Sequence, residues 1–314
     1  MHIFLTESES SLAKGFLSYA QGICGLHCNV FQGDTGDVAE LQRQLTAASP
    51  DFIVNTLQFD DLSKIEQSPD LAWQLNAILP DHLAHISLDL GAALIHISSD
   101  EVIGDVRNGA FQEKDTVHPL NTYGETKWQG EEAVRQLLKR HIILRLGVLF
   151  DGELHDGTSS EGWLQTILAE AQKPQDLQEA ADISLSPTAI SDASRVIVAI
   201  IQQLDAGADC WGTYHYAGVE PISRANFAEQ VIELAQEREL LTGAEMVRGV
   251  SAAAMGLAGR QALHREMNCQ KIMDHYGIKQ RSWRPALVEA IEKIADQAQA
   301  DQQVAADENE EPSA

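Results

Sequence analysis

Basic residues and long apolar runs are both scarce in this chain of 314 residues. Lysine and arginine number 22 against 47 aspartate and glutamate residues, which gives a formal net charge of −25. This excess of negative charge argues against nucleic acid or an anionic membrane as a partner. No segment approaches the roughly 18 apolar residues of a membrane span, and residues 1–6 lack the features of a signal peptide. We therefore expect a cytoplasmic protein.

Cysteine is also scarce, and its spacing offers no metal site. The four cysteines are scattered, and only Cys24 and Cys28 are separated by a gap typical of metal ligands. No second pair and no nearby histidine cluster completes such a site. We therefore expect free thiols, no disulfide framework and no bound metal.

Short apolar runs alternate with longer helical patterns through the first half of the chain. The predicted strands cover residues 2–5, 27–31, 52–55, 94–97 and 142–146, and the predicted helices cover residues 11–20, 38–48 and 68–90. This alternation predicts an α/β fold with a doubly wound parallel sheet of the Rossmann type. Ligands of such a sheet bind at the C-terminal ends of its strands.

The pattern is looser beyond about residue 150, where a loop rich in glycine and polar residues covers 152–162. Helices are predicted over 163–172, 191–204, 224–236 and 284–295, with a strand over 213–217. We interpret residues 1–150 as the NAD(P)-binding Rossmann domain, to which C-terminal helices return, and 151–295 as mainly a smaller α/β lobe that binds substrate. The tail, 296–314, has six acidic residues and no basic ones, so we expect it to be disordered.

Three polar residues stand out around the strand predicted at 94–97. Ser99 follows this strand directly, and Tyr123 and Lys127 lie four residues apart in the next helical segment. Residues with that spacing share one face of a helix. A lysine ammonium beside a tyrosine phenol favours the phenolate, so the phenol can exchange a proton near neutral pH. The three residues suit proton delivery to a substrate oxygen.

Several motifs follow one another in a characteristic order: DFIVN at 51–55, ISSD at 97–100, YGETK at 123–127, LR at 144–145, SPT at 186–188 and GTYHYAG at 212–218. In this order they resemble the dTDP-4-dehydrorhamnose reductase family, part of the extended short-chain dehydrogenase/reductase superfamily. The resemblance runs from Met1 to about Ala295. It implies a Rossmann-type fold with a smaller C-terminal lobe.

The resemblance also implies that the 4-keto group of a nucleotide-linked sugar is reduced with NADH or NADPH. Tyr123 would be the general acid, Lys127 would hold the nicotinamide ribose, and Ser99 would bond the keto oxygen. A nucleotide sugar or related small molecule is the expected partner, and a homodimer is compatible with it. The implied cofactor-binding residues are Thr6, Ser10, Ser11, Leu12, Asp34, Asn55, Tyr123 and Lys127, and the implied substrate-binding residues are Ser99, Asp100, Ser186, Thr188 and His215.

The phosphate-binding loop departs from the family pattern T-G-x-x-G-x-x-G. Glu7, Ser10 and Ala13 stand at the three glycine positions that follow Thr6. The first two glycines allow the tight turn and the close approach of the backbone to the pyrophosphate. A carboxylate about 5 Å from a phosphate costs about 3 kcal/mol at an effective dielectric constant of 20. Glu7 therefore opposes dinucleotide binding unless its side chain turns outward.

Other departures lie near the expected substrate. Glu101 stands where the family has tyrosine after its S-T-D motif, and Phe59 replaces another family tyrosine. His264 and Arg265 stand where the family has Asn-Ser near its sugar-nucleotide site.

Two hypotheses follow from this combination. The intact Ser99, Tyr123 and Lys127 favour a working NAD(P)H-dependent reductase of a nucleotide-linked keto sugar. The altered loop and acidic tail favour a non-catalytic sugar-nucleotide-binding or regulatory protein that has lost its cofactor. A nucleotide-sugar epimerase is a weaker third hypothesis, because it needs a tightly held NAD.

Overall fold

The computed structural model describes residues 1–57, 64–65, 68–104, 109–151, 162–173, 175–241, 246–257 and 259–310, with side chains as far as Asp301. Phe59 and most of the predicted loop 152–162 lie outside the described residues.

The described strands and helices follow the predicted alternation. The strands are β1 (His2–Leu5), β2 (His27–Val30), β3 (Phe52–Asn55), β4 (Ala93–Ser99), β5 (His141–Leu146), β6 (Leu149–Phe150), β7 (Leu177–Ala180), β8 (Ser184–Leu185), β9 (Thr188–Ala189), β10 (Gly212–Tyr216), β11 (Ile222–Ser223) and β12 (Val247–Val250). The helices are α1 (Ser11–Gln21), α2 (Val38–Ala48), α3 (Pro69–Trp73), α4 (Leu79–Leu90), α5 (Thr122–Leu137), α6 (Trp163–Ala171), α7 (Ile190–Asp205), α8 (Arg224–Glu237), α9 (Gln270–Tyr276) and α10 (Arg284–Glu310).

The central sheet has six parallel strands in the order β10-β5-β4-β3-β1-β2. Every residue of β3 and β5 is buried, as expected of a parallel sheet covered on both faces. Ile3 and Leu5 pack with residues of α1 and α7 on one face. Phe4, between them, packs with residues of α2 and α4 on the other face. The predicted doubly wound parallel sheet is confirmed.

The C-terminal half contributes to the central sheet as well as to a lobe of its own. Strand β10 forms one edge of the sheet by pairing with β5. Helix α7 packs so closely on α1 that a Cβ on Gly15 would lie 2.5 Å from Cγ2 of Ile190. Elements from beyond residue 150 thus pack on the Rossmann domain.

The remaining C-terminal elements form a second hydrophobic core. Trp163 of α6, Phe227 of α8 and Trp283, which directly precedes α10, pack together in this core. The rings of Trp163 and Phe227 are stacked with their centroids 4.1 Å apart. Strands β7 and β12 form a separate parallel pair beside this core.

The long helix predicted over 68–90 contains a π-helical segment, Gln74–Ile78, between α3 and α4. Pro80 has no N–H to donate to the carbonyl of Asn76, four residues earlier, and an α-helical carbonyl there would meet its ring. A π-helical turn changes the bonding pattern locally and accommodates the proline. Helix α5 crosses at this point, where a Cβ on Gly130 would lie 2.2 Å from the Asn76 carbonyl oxygen.

We expect Gly130→Ala to lower the free energy of unfolding by about 1–3 kcal/mol, because the added methyl group must displace the backbone of the π-helical segment. Gly22→Ala is the matched control. A Cβ on Gly22 would meet only the Tyr19 carbonyl oxygen at 3.7 Å, and alanine adopts its φ of −76° freely. Urea unfolding followed by circular dichroism measures both variants, and equal stability of the two would contradict this account of the crossing.

The last helix begins at Arg284 as predicted but continues to Glu310. The helix therefore extends through residues 296–310, for which the acidic composition predicts disorder. Alanine and glutamine, which favour helices, are frequent in this stretch, and they offset the acidic composition on which the prediction depended. Residues 311–314 lie outside the described residues.

Candidate functional site

Ser99, Tyr123 and Lys127 lie around the C-terminal end of β4. Ser99 is the last residue of β4, and a short 3₁₀ turn, Asp100–Val102, follows it. Lys127 is fully buried, and its Nζ donates a hydrogen bond of 2.7 Å to the carbonyl of Ile97, two residues before Ser99. Tyr123, one helical turn earlier, is 5% exposed.

The start of α5 is held against the turn that follows Ser99. The side chain of Asn121 caps α5 by accepting a hydrogen bond of 2.8 Å from the amide of Gly124. A Cβ on Gly124 would lie 2.3 Å from the carbonyl oxygen of Glu101. The absence of a side chain at Gly124 therefore lets the helix that carries Tyr123 meet the end of β4.

The loop between β1 and α1 is filled by its own glutamate. Oε2 of Glu7 accepts hydrogen bonds from the amides of Glu9 (2.7 Å) and Ser10 (2.9 Å). Its Oε1 accepts from the hydroxyls of Ser10 (2.6 Å) and Thr56 (2.7 Å). The side chain of Glu7 points inward, and the residue is 8% exposed. The carboxylate thus takes four donors at the first turn of α1.

Thr6 and Asn55 belong to a buried polar chain beside this loop. The Thr6 hydroxyl donates to Oδ1 of Asn55 at 3.0 Å, and Nδ2 of Asn55 lies 3.1 Å from Nδ1 of His96. Burial and the nearby Lys127 ammonium lower the pKa of His96 to about 3. These hydrogen bonds link the C-terminal ends of β1 and β3 to the middle of β4.

The other predicted cofactor residues follow the C-terminal ends of β1 and β2. Ser10 is the N-cap of α1 and accepts from the Ala13 amide at 3.2 Å, and Ser11 is the first residue of that helix. The side chain of Leu12 is buried in the core. Asp34 is in an exposed turn after β2, where its side chain accepts from the Gly36 amide at 2.9 Å. Their roles toward a cofactor stay predictions.

Asp100 and Glu101 share one guanidinium. Arg265, which is 6% exposed, bonds both oxygens of Asp100 and lies 2.8 Å from Oε1 of Glu101. Asn121 donates to Oε2 of Glu101 at 3.0 Å. Sequence comparison with the family picks out Glu101 and Arg265 as separate departures, and the structure shows that they form one ion-paired group. Asp100, predicted to bind substrate, is engaged by this arginine.

The three predicted substrate residues of the C-terminal half are buried. Thr188 is 1% exposed; its hydroxyl donates to the Ser186 carbonyl at 3.3 Å and accepts from the Gly218 amide at 3.2 Å. Ser186 is 3% exposed and His215 is fully buried. Ser186, Thr188 and His215 are therefore enclosed in the fold, and their roles toward a substrate stay predictions.

His215 belongs to a buried ionic network that the sequence analysis did not identify. Arg145 holds Glu131 with bonds of 2.7 and 2.9 Å, and the Ser98 hydroxyl donates to Glu131 at 2.6 Å. Nη1 of Arg145 lies 3.3 Å from Nε2 of His215. Burial opposes ionisation, but Arg145 and these hydrogen bonds outweigh it and hold the pKa of Glu131 at about 2. Its position four residues after Lys127, on the same helix face, was an available signal.

We expect acid to weaken the fold through His96 and His215. Burial lowers the pKa of both imidazoles to about 3, assisted by Lys127 and Arg145 respectively. The unfolded chain takes up these protons below about pH 6.5 while the folded chain does not. Stability therefore falls with decreasing pH by about 1 kcal/mol per pH unit per histidine between pH 6 and 4. Urea unfolding of His96→Gln and His215→Gln at several pH values tests this. Each substitution should make the fall in stability with decreasing pH less steep. A slope equal to that of the native chain in both variants would contradict the account.

The family can now be assigned. A family model described as the RmlD substrate binding domain matches residues 1–296. The chain belongs to this dTDP-4-dehydrorhamnose reductase family. It is 26% identical over 239 residues to the dTDP-4-dehydrorhamnose reductase of Aggregatibacter actinomycetemcomitans, covering 76% of this chain and 79% of that protein.

Solved structures of this family share the fold. A dTDP-4-dehydrorhamnose reductase from Clostridium acetobutylicum superimposes with a TM-score of 0.82 at 22% identity, covering 93% of this chain and 99% of that one. The enzyme from Bacillus anthracis, solved in complex with NADP, gives a TM-score of 0.77 at 22% identity and covers 91% of this chain and 97% of its own. The predicted resemblance is confirmed.

The pyrophosphate of a dinucleotide does not fit the loop as it stands. In Rossmann folds this group accepts hydrogen bonds from the amides at the first turn of α1. Here the amides of Glu9 and Ser10 are already bonded to the Glu7 carboxylate. These donors are therefore not open to a second anion in this arrangement.

The described residues contain no group of three or more His, Cys, Asp or Glu side chains placed to hold a metal. Within them, no helix is both long and apolar enough to cross a membrane.

Proposed function

We propose that this chain reduces the 4-keto group of a nucleotide-linked sugar, with Tyr123 as the proton donor and NADH or NADPH as the reductant. The observation that carries the proposal is the buried Lys127, bonded to the Ile97 carbonyl at the end of β4. This bond joins α5, which carries Tyr123, to β4 close to Ser99, and ligands of such sheets bind at the C-terminal ends of the strands. The names of the family relatives support the substrate class, and the NADP complex supports the reductant.

Tyr123, Ser99 and Lys127 have different roles in the proton transfer to the substrate oxygen. The Tyr123 phenol donates its proton to the keto oxygen as that oxygen gains charge, which is general acid catalysis. Ser99 donates a hydrogen bond to the same oxygen. In the structure the Ser99 hydroxyl instead donates to Oδ1 of Asp100 at 3.2 Å, so it must turn toward the substrate. The Lys127 ammonium stabilises the phenolate that remains on Tyr123.

A second candidate function is favoured by the contacts of Glu7. A chain whose loop is filled by its own carboxylate can bind a nucleotide sugar near Ser99 and Tyr123 without turnover. It would then be a sugar-nucleotide-binding or regulatory protein. Both functions need the nucleotide sugar, and only the first needs the dinucleotide.

One pair of measurements separates the two functions. Isothermal titration calorimetry with dTDP-glucose measures binding of a nucleotide sugar. Oxidation of NADPH in the presence of dTDP-4-dehydrorhamnose, followed at 340 nm, measures turnover. Binding together with turnover supports the reductase. Binding without turnover supports the second function, and absence of binding contradicts both.

A further inference from the structure

This phosphate-binding loop differs from the glycine-rich loop of the family pattern in the side chain at position 7 rather than in its backbone conformation. Among the described residues, the non-glycine positions with positive φ are Ser49, Glu220 and Glu239. Glu7 and Ser10 are not among them, so this turn needs no glycine for its conformation. What a glycine at position 7 would remove is the carboxylate that lies inside the loop.

The Glu7 carboxylate accepts hydrogen bonds from the loop as a phosphate group would. It is an acceptor-only anion, and both of its oxygens are used. It accepts two amides and two hydroxyls at distances of 2.6 to 2.9 Å, at the positively polarised end of the 11-residue helix α1. Since Glu7 is 8% exposed, this position is a buried part of the fold.

The neighbouring Glu9 provides a contrast within the same loop. Glu9 is exposed, and its carboxylate accepts a hydrogen bond from the adjacent Ser8 hydroxyl at 3.0 Å. Its own amide, by contrast, is one of the donors to Glu7. The two glutamates carry the same charge two residues apart, but only Glu7 occupies the donors.

We infer that Glu7 is a resident anion that closes the pyrophosphate cradle, so that a dinucleotide binds only after its carboxylate has left the loop. The inference rests on the proposed function, because it concerns the cofactor that a reductase requires. If the dinucleotide does not displace Glu7, only the nucleotide sugar binds. Glu7 therefore sets how readily the chain takes up its reductant.

The test is a titration with NADPH, followed by nicotinamide fluorescence, of the native chain and three variants. Glu7→Gly removes the resident anion, Glu7→Gln keeps an acceptor oxygen without charge, and Glu9→Gln removes an equal charge from an exposed side chain of the same loop. We expect Glu7→Gly to lower the Kd for NADPH about a hundredfold. Glu7→Gln should give a smaller gain, and Glu9→Gln should leave the Kd close to the native value.

Inorganic pyrophosphate provides a second readout that does not involve the nicotinamide. It should compete with NADPH in Glu7→Gly and raise the melting temperature of that variant, with little effect on the native chain. The circular dichroism spectrum and melting temperature of Glu7→Gln, the nearly isosteric variant, establish that the fold persists when the charge is removed.

Native and Glu7→Gly chains that bind NADPH equally well would overturn the inference while leaving the reductase intact. Absence of NADPH binding in every variant would overturn it too, since the loop would then be closed by something other than Glu7. A parallel titration of the same preparations with dTDP-glucose tests the proposed function separately. If dTDP-glucose does not bind but Glu7→Gly still lowers the Kd for NADPH, the proposed nucleotide-sugar substrate is contradicted and the inference about Glu7 stands.

Discussion

Tyr123→Phe is expected to lower kcat for the reduction of a nucleotide-linked keto sugar by about 10²–10⁴-fold, the range of general acid catalysis by a positioned side chain. Phenylalanine keeps the ring that packs with Ile65 and Ala72 and removes only the hydroxyl. The substrate oxygen then receives its proton from water. Because the hydroxyl acts mainly in the transition state, kcat should fall much more than KM rises.

Tyr19→Phe is the control for this substitution. Tyr19 is 42% exposed on α1 and lies outside the proposed site, so its loss should leave kcat and KM unchanged. Initial rates of NADPH oxidation for the native chain and both variants decide the question. Full activity in Tyr123→Phe would assign proton donation to another group.

Arg145→Met is expected to lower the free energy of unfolding by about 3–5 kcal/mol, because it leaves the buried Glu131 carboxylate without its main partner. Arg145 and Glu131 are 2% and 0% exposed, and they share two hydrogen bonds. Methionine fills much of the volume of arginine, so the loss reflects charge more than a cavity. Urea unfolding at neutral pH measures it.

Arg135→Met is the matched control, since Arg135 also reaches Glu131 at 3.0 Å but has a side chain that is 31% exposed. We expect it to cost much less. The effect of Arg145→Met should also shrink in acid. The pKa of Glu131 lies at about 2 in the fold and at 4.5 in the unfolded reference. The pair's contribution is therefore complete above about pH 4.5 and is lost as pH falls toward 2. A loss that is the same at pH 7 and pH 3 would argue against this ionic origin.

The alternation of elements was predictable because it depends on local patterns. The predicted ranges for β1, α2 and β3 agree with the structure residue by residue. In each, an apolar periodicity is bounded by turn residues such as Asp37 and Pro50. Ser99, Tyr123 and Lys127 were predictable for the same reason, since a strand end and a four-residue helical spacing are local features.

The features that the sequence analysis missed depend on tertiary contacts. Spacing alone could not show that Glu7 turns inward, because that depends on Thr56 after β3 as a donor. Nor could it show that Arg265 reaches Asp100 across more than 160 residues of chain. His215 lies in a motif that resembles a substrate contact, yet its burial follows from the pairing of β10 with β5.

The placement of β10 and α7 also determines the order in which the protein can be completed during synthesis. When residue 150 has been added, the edge of β5 has no partner strand and the apolar side of α1 has no α7 to cover it. The ribosome must add 66 more residues to reach Tyr216, the end of β10, which takes roughly 3–13 s at typical translation rates. Until then the edge of β5 lacks the strand that pairs with it in the finished fold.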